Sequence, residues 1–295
     1  MRILLTGASG FIGHYLAPRL LSAGHELLAT GRGEAPASLL PCFSRMDITD
    51  PASVLRHFEA FRPEVIIHAA ALSQPDLCAR DTAAADRVNV EGTRNLLLHA
   101  SKFRSTFLFL STDFVFNGRS GPYAETDRPD PVNHYGRTKW LAEQQVAAYP
   151  GPWSIARTAL VYGRPVAGRS NLLWRVRDRL VAGESIRLAN DQVRTPPYVE
   201  DLAAGLIALL ERRATGIFHL SGSETLTPYD MGCRIAAFMG KDTGYIQPVA
   251  TDELKEPALR PPVTGFLTEK AQQMLEFAPV SFQEGMRRSF GSVGQ

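Results

Sequence analysis

Tyr135 and Lys139 stand four residues apart in the run Tyr135-Gly136-Arg137-Thr138-Lys139. On a helix that spacing puts both side chains on one face. A phenol titrates near about 10, too high for efficient proton exchange at neutral pH. An ammonium beside it favours the phenolate and lowers that value. The pair therefore predicts a phenol that trades a proton with a substrate oxygen, tuned by an amine. No other tyrosine has a lysine four residues on. Ser111-Thr112-Asp113 closes the apolar run Thr106–Leu110, which reads as a strand. Open α/β sheets bind ligands beyond the carboxyl ends of their strands, so Ser111 and Thr112 are candidates to hold the reacting oxygen.

A second signal opens the chain. Gly7-Ala8-Ser9-Gly10-Phe11-Ile12-Gly13 follows the apolar run Ile3-Leu4-Leu5 and precedes a helical pattern. The first glycine permits a tight turn, the second lets backbone approach a pyrophosphate, and the third lets helix pack on strand. The helix N-terminus adds free N–H groups and partial positive charge. Gly7, Ser9, Gly10, Phe11, Ile12 and Gly13 are thus candidate dinucleotide contacts. After the second strand the chain offers Thr30-Gly31-Arg32, with no acid until Glu34. A carboxylate there usually binds the ribose diol of NAD, whereas Arg32 can grip a 2′-phosphate through a charge-assisted fork. NADP(H) is expected, with NAD(H) the alternative.

The elements that must position these groups alternate. Strands are expected at Ile3–Leu5, Glu26–Thr30, Cys42–Met46, Val65–Ala70, Thr106–Leu110 and Ser154–Ala156. Helices are expected over 11–23, 51–61, 84–102 and 136–148. Short, nearly all-apolar strands between helices predict a doubly wound parallel sheet of Rossmann type. Beyond residue 160 the expected elements are a helix at Leu172–Val181, a strand at Ser185–Leu188, a helix at Asp201–Arg213, a strand at Gly216–Leu220 and a helix at Pro228–Met239. The expected division is a dinucleotide domain over 1–160, with a return segment near 196–222. A smaller C-terminal α/β substrate domain is expected over 161–195 and 223–295.

Bulk composition narrows the class. The chain has 295 residues, 44% hydrophobic content and a net charge of +2, with charges dispersed. That suits a large buried core and gives no basic footprint for nucleic acid. No stretch approaches the roughly 18 apolar residues of a membrane span. The first strand lies beside Met1, so no signal peptide is expected and the expected location is cytoplasmic. Cys42, Cys78 and Cys233 lie far apart, in no metal-ligand spacing, and read as reduced thiols.

Gly7–Gly13, Ala69-Ala70-Ala71, Asn89, Ser111-Thr112-Asp113 and Tyr135–Lys139 together resemble the extended short-chain dehydrogenase/reductases. Within that superfamily, the run Ser111–Gly118, Pro122–Asp127, Asn133–Gly136 and Arg157-Thr158 are most similar to dTDP-4-dehydrorhamnose reductases. The resemblance implies hydride transfer from a reduced nicotinamide to the 4-keto carbon of a nucleotide-linked deoxysugar. It implies Thr112, Tyr135 and Lys139 as the catalytic set. Thr112 would bond the substrate oxygen, Lys139 would hold the nicotinamide ribose, and Asp113 would contact the sugar or adjust the local pKa. It also places Asp47 and Ile48 at the adenine, Ala69, Ala70 and Ala71 against the cofactor, and Asn89 in a structural or cofactor-side contact. The residues alone allow blander roles. Asp47 can serve a helix N-cap with Thr49 and Asp50, the alanines can be tight packing, and Asn89 can face solvent.

Two departures from the family pattern, Leu72 and Leu160, stand where aromatic residues are common and a sugar is expected. An NAD-dependent epimerase or dehydratase on the same scaffold is an alternative, although the acid expected beside Asp113 in a dehydratase is missing. A regulatory subunit of methionine adenosyltransferase also resembles this subfamily, so a non-catalytic NADP-binding role is a third reading. A homodimer is possible, and no metal cluster stands out. His68, on an apolar strand, is expected to be buried and satisfied. Arg194–Asp201 is expected to be a turn that starts a helix. Arg164, Arg169, Arg175, Arg177 and Arg179 read as a mainly solvated face.

Overall fold

The structure, a computed structural model, describes residues 1–166 and 170–291. Its nine strands among the described residues are β1 (Arg2–Thr6), β2 (Glu26–Gly31), β3 (Phe43–Arg45), β4 (Val65–His68), β5 (Thr106–Thr112), β6 (Trp153–Thr158), β7 (Ile186–Ala189), β8 (Gly216–His219) and β9 (Ile246–Val249). Seven form one sheet in the order β3-β2-β1-β4-β5-β6-β8, every pair parallel. The order reverses between β1 and β4, which opens a crevice at their carboxyl ends, where doubly wound sheets bind ligands.

The helices are α1 (Phe11–Ser22), α2 (Pro51–Phe61), α3 (Pro75–Arg80), α4 (Thr82–Ala85), α5 (Gly92–Phe103), α6 (His134–Ala147), α7 (Leu172–Val181), α8 (Val199–Glu211), α9 (Pro228–Phe238), α10 (Glu269–Leu275) and α11 (Phe282–Phe290). Leu16 and Leu20 of α1 join Leu202, Leu206 and Leu209 of α8 on one face of the sheet. Val54 and Phe58 of α2, Leu96 of α5, and Ala142 and Val146 of α6 cover the other. Removing each Leu, Val or Phe side chain from water contributes roughly 1.5–3 kcal/mol, which holds the two helix layers against the sheet. A smaller cluster joins α7, α9 and α11 to the two-stranded parallel sheet β7-β9 through Leu173, Leu188, Ile235, Ile246 and Phe282.

Several expectations need correction. The strand expected through Ala70 ends at His68, and the one expected to end at Leu110 runs on through Thr112. Ser111 and Thr112 are the last residues of β5, at the strand's end as expected. The single helix expected over 84–102 is α4, a π-helical segment Asp86–Glu91, and α5. The 223–295 segment does not all lie in the smaller lobe. Ala271, Leu275 and Phe277, in and just after α10, pack in the core shared by α1 and α8. Among the described residues, no helix is long and apolar enough to cross a membrane.

Candidate functional site

A cleft of about 1080 Å³ runs over the carboxyl ends of β1, β2, β4, β5 and β6 and down to the smaller lobe. The glycine turn makes its first wall. Gly7 has φ +73°, and a Cβ there would sit 2.7 Å from the Ala69 carbonyl carbon. A Cβ on Gly13 would collide with the Gly7 oxygen. Only hydrogen fits at these two positions, which is what lets the turn lie flat under the start of α1. Gly7, Ser9, Gly10, Phe11, Ile12, Gly13, Arg32, Asp47, Ile48, Ala69, Ala70 and Ala71 all line the cleft. Arg32 is exposed. The Asp47 carboxylate receives both the backbone N–H and the hydroxyl of Thr49, at 2.9 and 2.8 Å, so it already closes a turn.

Asn89 is a different case. It is buried, it does not line the cleft, and its amide is fully engaged. Leu72 N donates to its Oδ1 at 2.8 Å, while its Nδ2 donates to Leu72 O at 3.1 Å and to Thr138 Oγ1 at 2.9 Å. The Cys78 thiol also donates to Leu72 O. Of the two contacts the resemblance implied for Asn89, structural or cofactor-side, the geometry shows the structural one, a clamp on the loop after β4. It sits in the π-helical segment Asp86–Glu91, a form that recurs at functional sites. Leu72 packs with the core under α2 and α5, whereas Leu160 lines the cleft. His68 is buried with both ring nitrogens partnered, by Thr6 at 2.8 Å and Thr93 at 3.0 Å.

Helix α6 presents the phenol and the amine. Asn133 caps it, accepting from Gly136 N at 2.8 Å. Any side chain at Gly136 would strike the Phe114 carbonyl, so glycine lets the start of α6 close onto the turn after β5. That apposition brings Ser111, Thr112, Asp113, Tyr135 and Lys139 to one end of the cleft. The Thr112 hydroxyl faces the Tyr135 phenol and favours its ionised form. Burial nonetheless pushes the phenol above its ordinary value, and Asp113 and Cys78 push the same way. The expectation that Lys139 lowers the Tyr135 pKa is not met in this geometry. The Lys139 ammonium instead donates to Leu110 O at 2.7 Å and lies 3.9 Å from the centre of the Phe109 ring. Burial brings it down to about 7, with Glu143 one turn along the helix pulling it back up. Burial dominates both groups because each has left water for an apolar wall.

Asp113 lines the cleft with its carboxylate already engaged. Its carboxylate accepts from Thr112 and Thr264 and pairs with Arg194. Of the two roles expected for Asp113, a sugar contact or an influence on the local pKa, this geometry carries the second, through an internal ion pair with Arg194 and a charge that raises the Tyr135 value. Of the arginine group, Arg175 lines the cleft, Arg177 pairs with Asp178 and Arg179 with Glu184, Arg164 is exposed, and Arg169 lies outside the described residues.

The model of the RmlD substrate binding domain family matches residues 1–294. The chain belongs to that family. Among curated relatives, methionine adenosyltransferase 2 subunit beta of Xenopus tropicalis is 31% identical over 258 residues, 85% of this chain and 76% of that protein. The spore coat polysaccharide biosynthesis protein SpsK of Bacillus subtilis is 29% identical over 287 residues, 97% of this chain and 95% of that one. Among solved structures, dTDP-4-dehydrorhamnose reductase from Bacillus anthracis in complex with NADP superposes with a TM-score of 0.87 at 26% identity, over 98% of each chain. The resemblance to extended short-chain reductases and the doubly wound fold both hold for this RmlD-family chain. The residues that sequence reasoning missed are those that position others, Gly136, Glu143, Arg194 and Thr264. Gly136 alone left a local trace, as a glycine inside a helical pattern.

Proposed function

We propose that this chain reduces the 4-keto group of a nucleotide-linked deoxysugar with NADPH, in the manner of dTDP-4-dehydrorhamnose reductases. One observation carries the reading. A half-buried phenol, a buried amine and a buried hydroxyl share one continuous cleft with a glycine cradle in which only hydrogen fits. The residues present suit a dinucleotide. The turn at Gly7–Gly13 would hold its pyrophosphate at the start of α1, Arg32 a 2′-phosphate, and Lys139 the ribose next to the nicotinamide. When bound, a reduced nicotinamide supplies the hydride. The chain supplies the rest. Tyr135 gives its proton to the carbonyl oxygen as charge develops there, and Thr112 stands beside it. Ala69–Ala71 and the walls of the cleft orient the reactants and exclude water. The sugar and its nucleotide are assigned to the half of the cleft lined by Leu160, Arg175, Arg187 and Arg260, between the large sheet and the smaller lobe.

The test is direct. Purified protein is given NADPH and dTDP-4-dehydrorhamnose, and NADPH absorbance is followed beside product chromatography. Stoichiometric consumption supports the reading. No consumption with that or any other nucleotide-linked 4-keto sugar ends it. A second reading rests on the relative named methionine adenosyltransferase 2 subunit beta. It expects dinucleotide binding without consumption, together with a change in the rate of a methionine adenosyltransferase catalytic subunit mixed with this chain.

A further inference from the structure

The Asp113 carboxylate is gripped by groups from three separate stretches of chain. Thr112 donates to its Oδ1 at 3.1 Å. Thr264, far along the chain, donates to Oδ2. Arg194 brings its Nε to 3.4 Å from Oδ2. Asp113 and Arg194 are each only 3% exposed. The other arms of the guanidinium go to backbone oxygens. Nη1 donates to Val193 O and Pro262 O, and Nη2 to Pro261 O.

An ionised carboxylate accepts hydrogen bonds and donates none. The single hydroxyl proton of Thr112 is therefore committed to Asp113. Phe114 N–H already donates to the Thr112 oxygen at 3.3 Å. While it holds Asp113, Thr112 has no proton to give to a substrate oxygen. This holds only while Asp113 stays ionised, and its burial works against that. A protonated Asp113 would donate, and the arrangement would reverse.

We propose that Arg194, seconded by Thr264, is the positioning residue of this site: it keeps Asp113 ionised and aimed at Thr112, and so commits the Thr112 hydroxyl proton to Asp113. The proposal deepens the reductase reading and rests on its pairing of Thr112 with Tyr135. It assigns the proton of reduction to Tyr135 alone. The alkoxide oxygen gains the proton that the phenol loses, and Thr112 loses none. Burial raises the Asp113 pKa, while Arg194, Thr264 and Thr112 each lower it. Asp191 and Arg260 act on Arg194 from its other sides with opposite signs. Tyr135 is the titratable group on α6 that feels Asp113.

The experiment is an NMR titration of full-length protein carrying isotope-labelled aspartate carboxyls, with Asp113→Asn assigning the resonance. Arg194→Gln is expected to raise the Asp113 ionisation by at least about one pH unit, the scale of a lost neighbouring charge. Thr264→Val raises it less, and Arg194→Lys, which keeps the charge, stays nearer wild type than Arg194→Gln. An Arg194 that merely ties backbone carbonyls leaves the ionisation unmoved, and an unmoved value in both Arg194→Gln and Thr264→Val overturns the proposal. Thr264→Val removes no charge and carries the test where Arg194→Gln fails to fold. The readout needs no turnover, so it fails or succeeds separately from the keto-sugar assay.

Discussion

Glu143 and Arg157 form a two-pronged ion pair beneath the floor of the cleft, Nε to Oε1 at 3.0 Å and Nη2 to Oε2 at 2.7 Å. Both side chains are 1% exposed. Ser111 donates to the same carboxylate, so the pair ties α6, β5 and β6 together just behind Lys139. Removing one partner strands a buried charge. Glu143→Ala should therefore cost about 3–5 kcal/mol in urea unfolding. The double change Glu143→Leu with Arg157→Met removes both charges and should recover most of that loss. A single-variant cost below about 1 kcal/mol would place the pair among ordinary surface bridges.

Tyr135→Phe keeps the ring, its packing against Phe114 and the glycine cradle. It removes only the proton that the reaction needs. Turnover should fall at least ~100-fold, the usual scale of a lost acid–base group. NADPH affinity, read by fluorescence titration, should change little. A variant with near-normal turnover would remove Tyr135 from the mechanism.

Much of this site was legible because its groups carry local signals. The glycine turn, Arg32 and the four-residue step from Tyr135 to Lys139 are each written within a few residues. So is the parallel sheet, since strands buried on both faces read as apolar runs. What stayed hidden depends on distant partners. The acidity of Tyr135 was expected to follow Lys139, because spacing shows proximity and not burial. Asp113 looked free because its partners Arg194 and Thr264 lie 81 and 151 residues away in sequence. Asn89 looked like a residue on an ordinary helix, and a π-helical turn has no simple spacing rule to betray it.

Arg32 lines the cleft and makes no ion pair among the described residues. A 2′-phosphate would give its fork a dianion to hold, and loss of a charge-assisted contact of that kind costs about 1.5–3 kcal/mol. Arg32→Asp should weaken NADPH binding at least ~10-fold and leave NADH binding equal or better. Thermal shift at fixed dinucleotide concentration reads both. Equal losses for the two dinucleotides would mean that Arg32 does not read the phosphate.

Lys139 gives the fold a pH signature whose sign follows from its burial. Its pKa falls from 10.5 to about 7 on folding. Between those values the unfolded chain binds the proton and the folded one does not, so this residue makes stability rise with pH across the interval and penalises the fold most below it. Lys139→Met keeps the stem and discards the titration. The stability difference between wild type and Lys139→Met should therefore move in favour of wild type by about 2–3 kcal/mol from about pH 7 to about pH 9.5. The scan stops there because the unfolded lysine begins to lose its own proton near its ordinary value of 10.5, where the trend levels off. Urea midpoints at three pH values are enough to measure it. A flat difference would show that the Lys139 ammonium keeps its ordinary pKa, its burial offset by Leu110 O and Glu143.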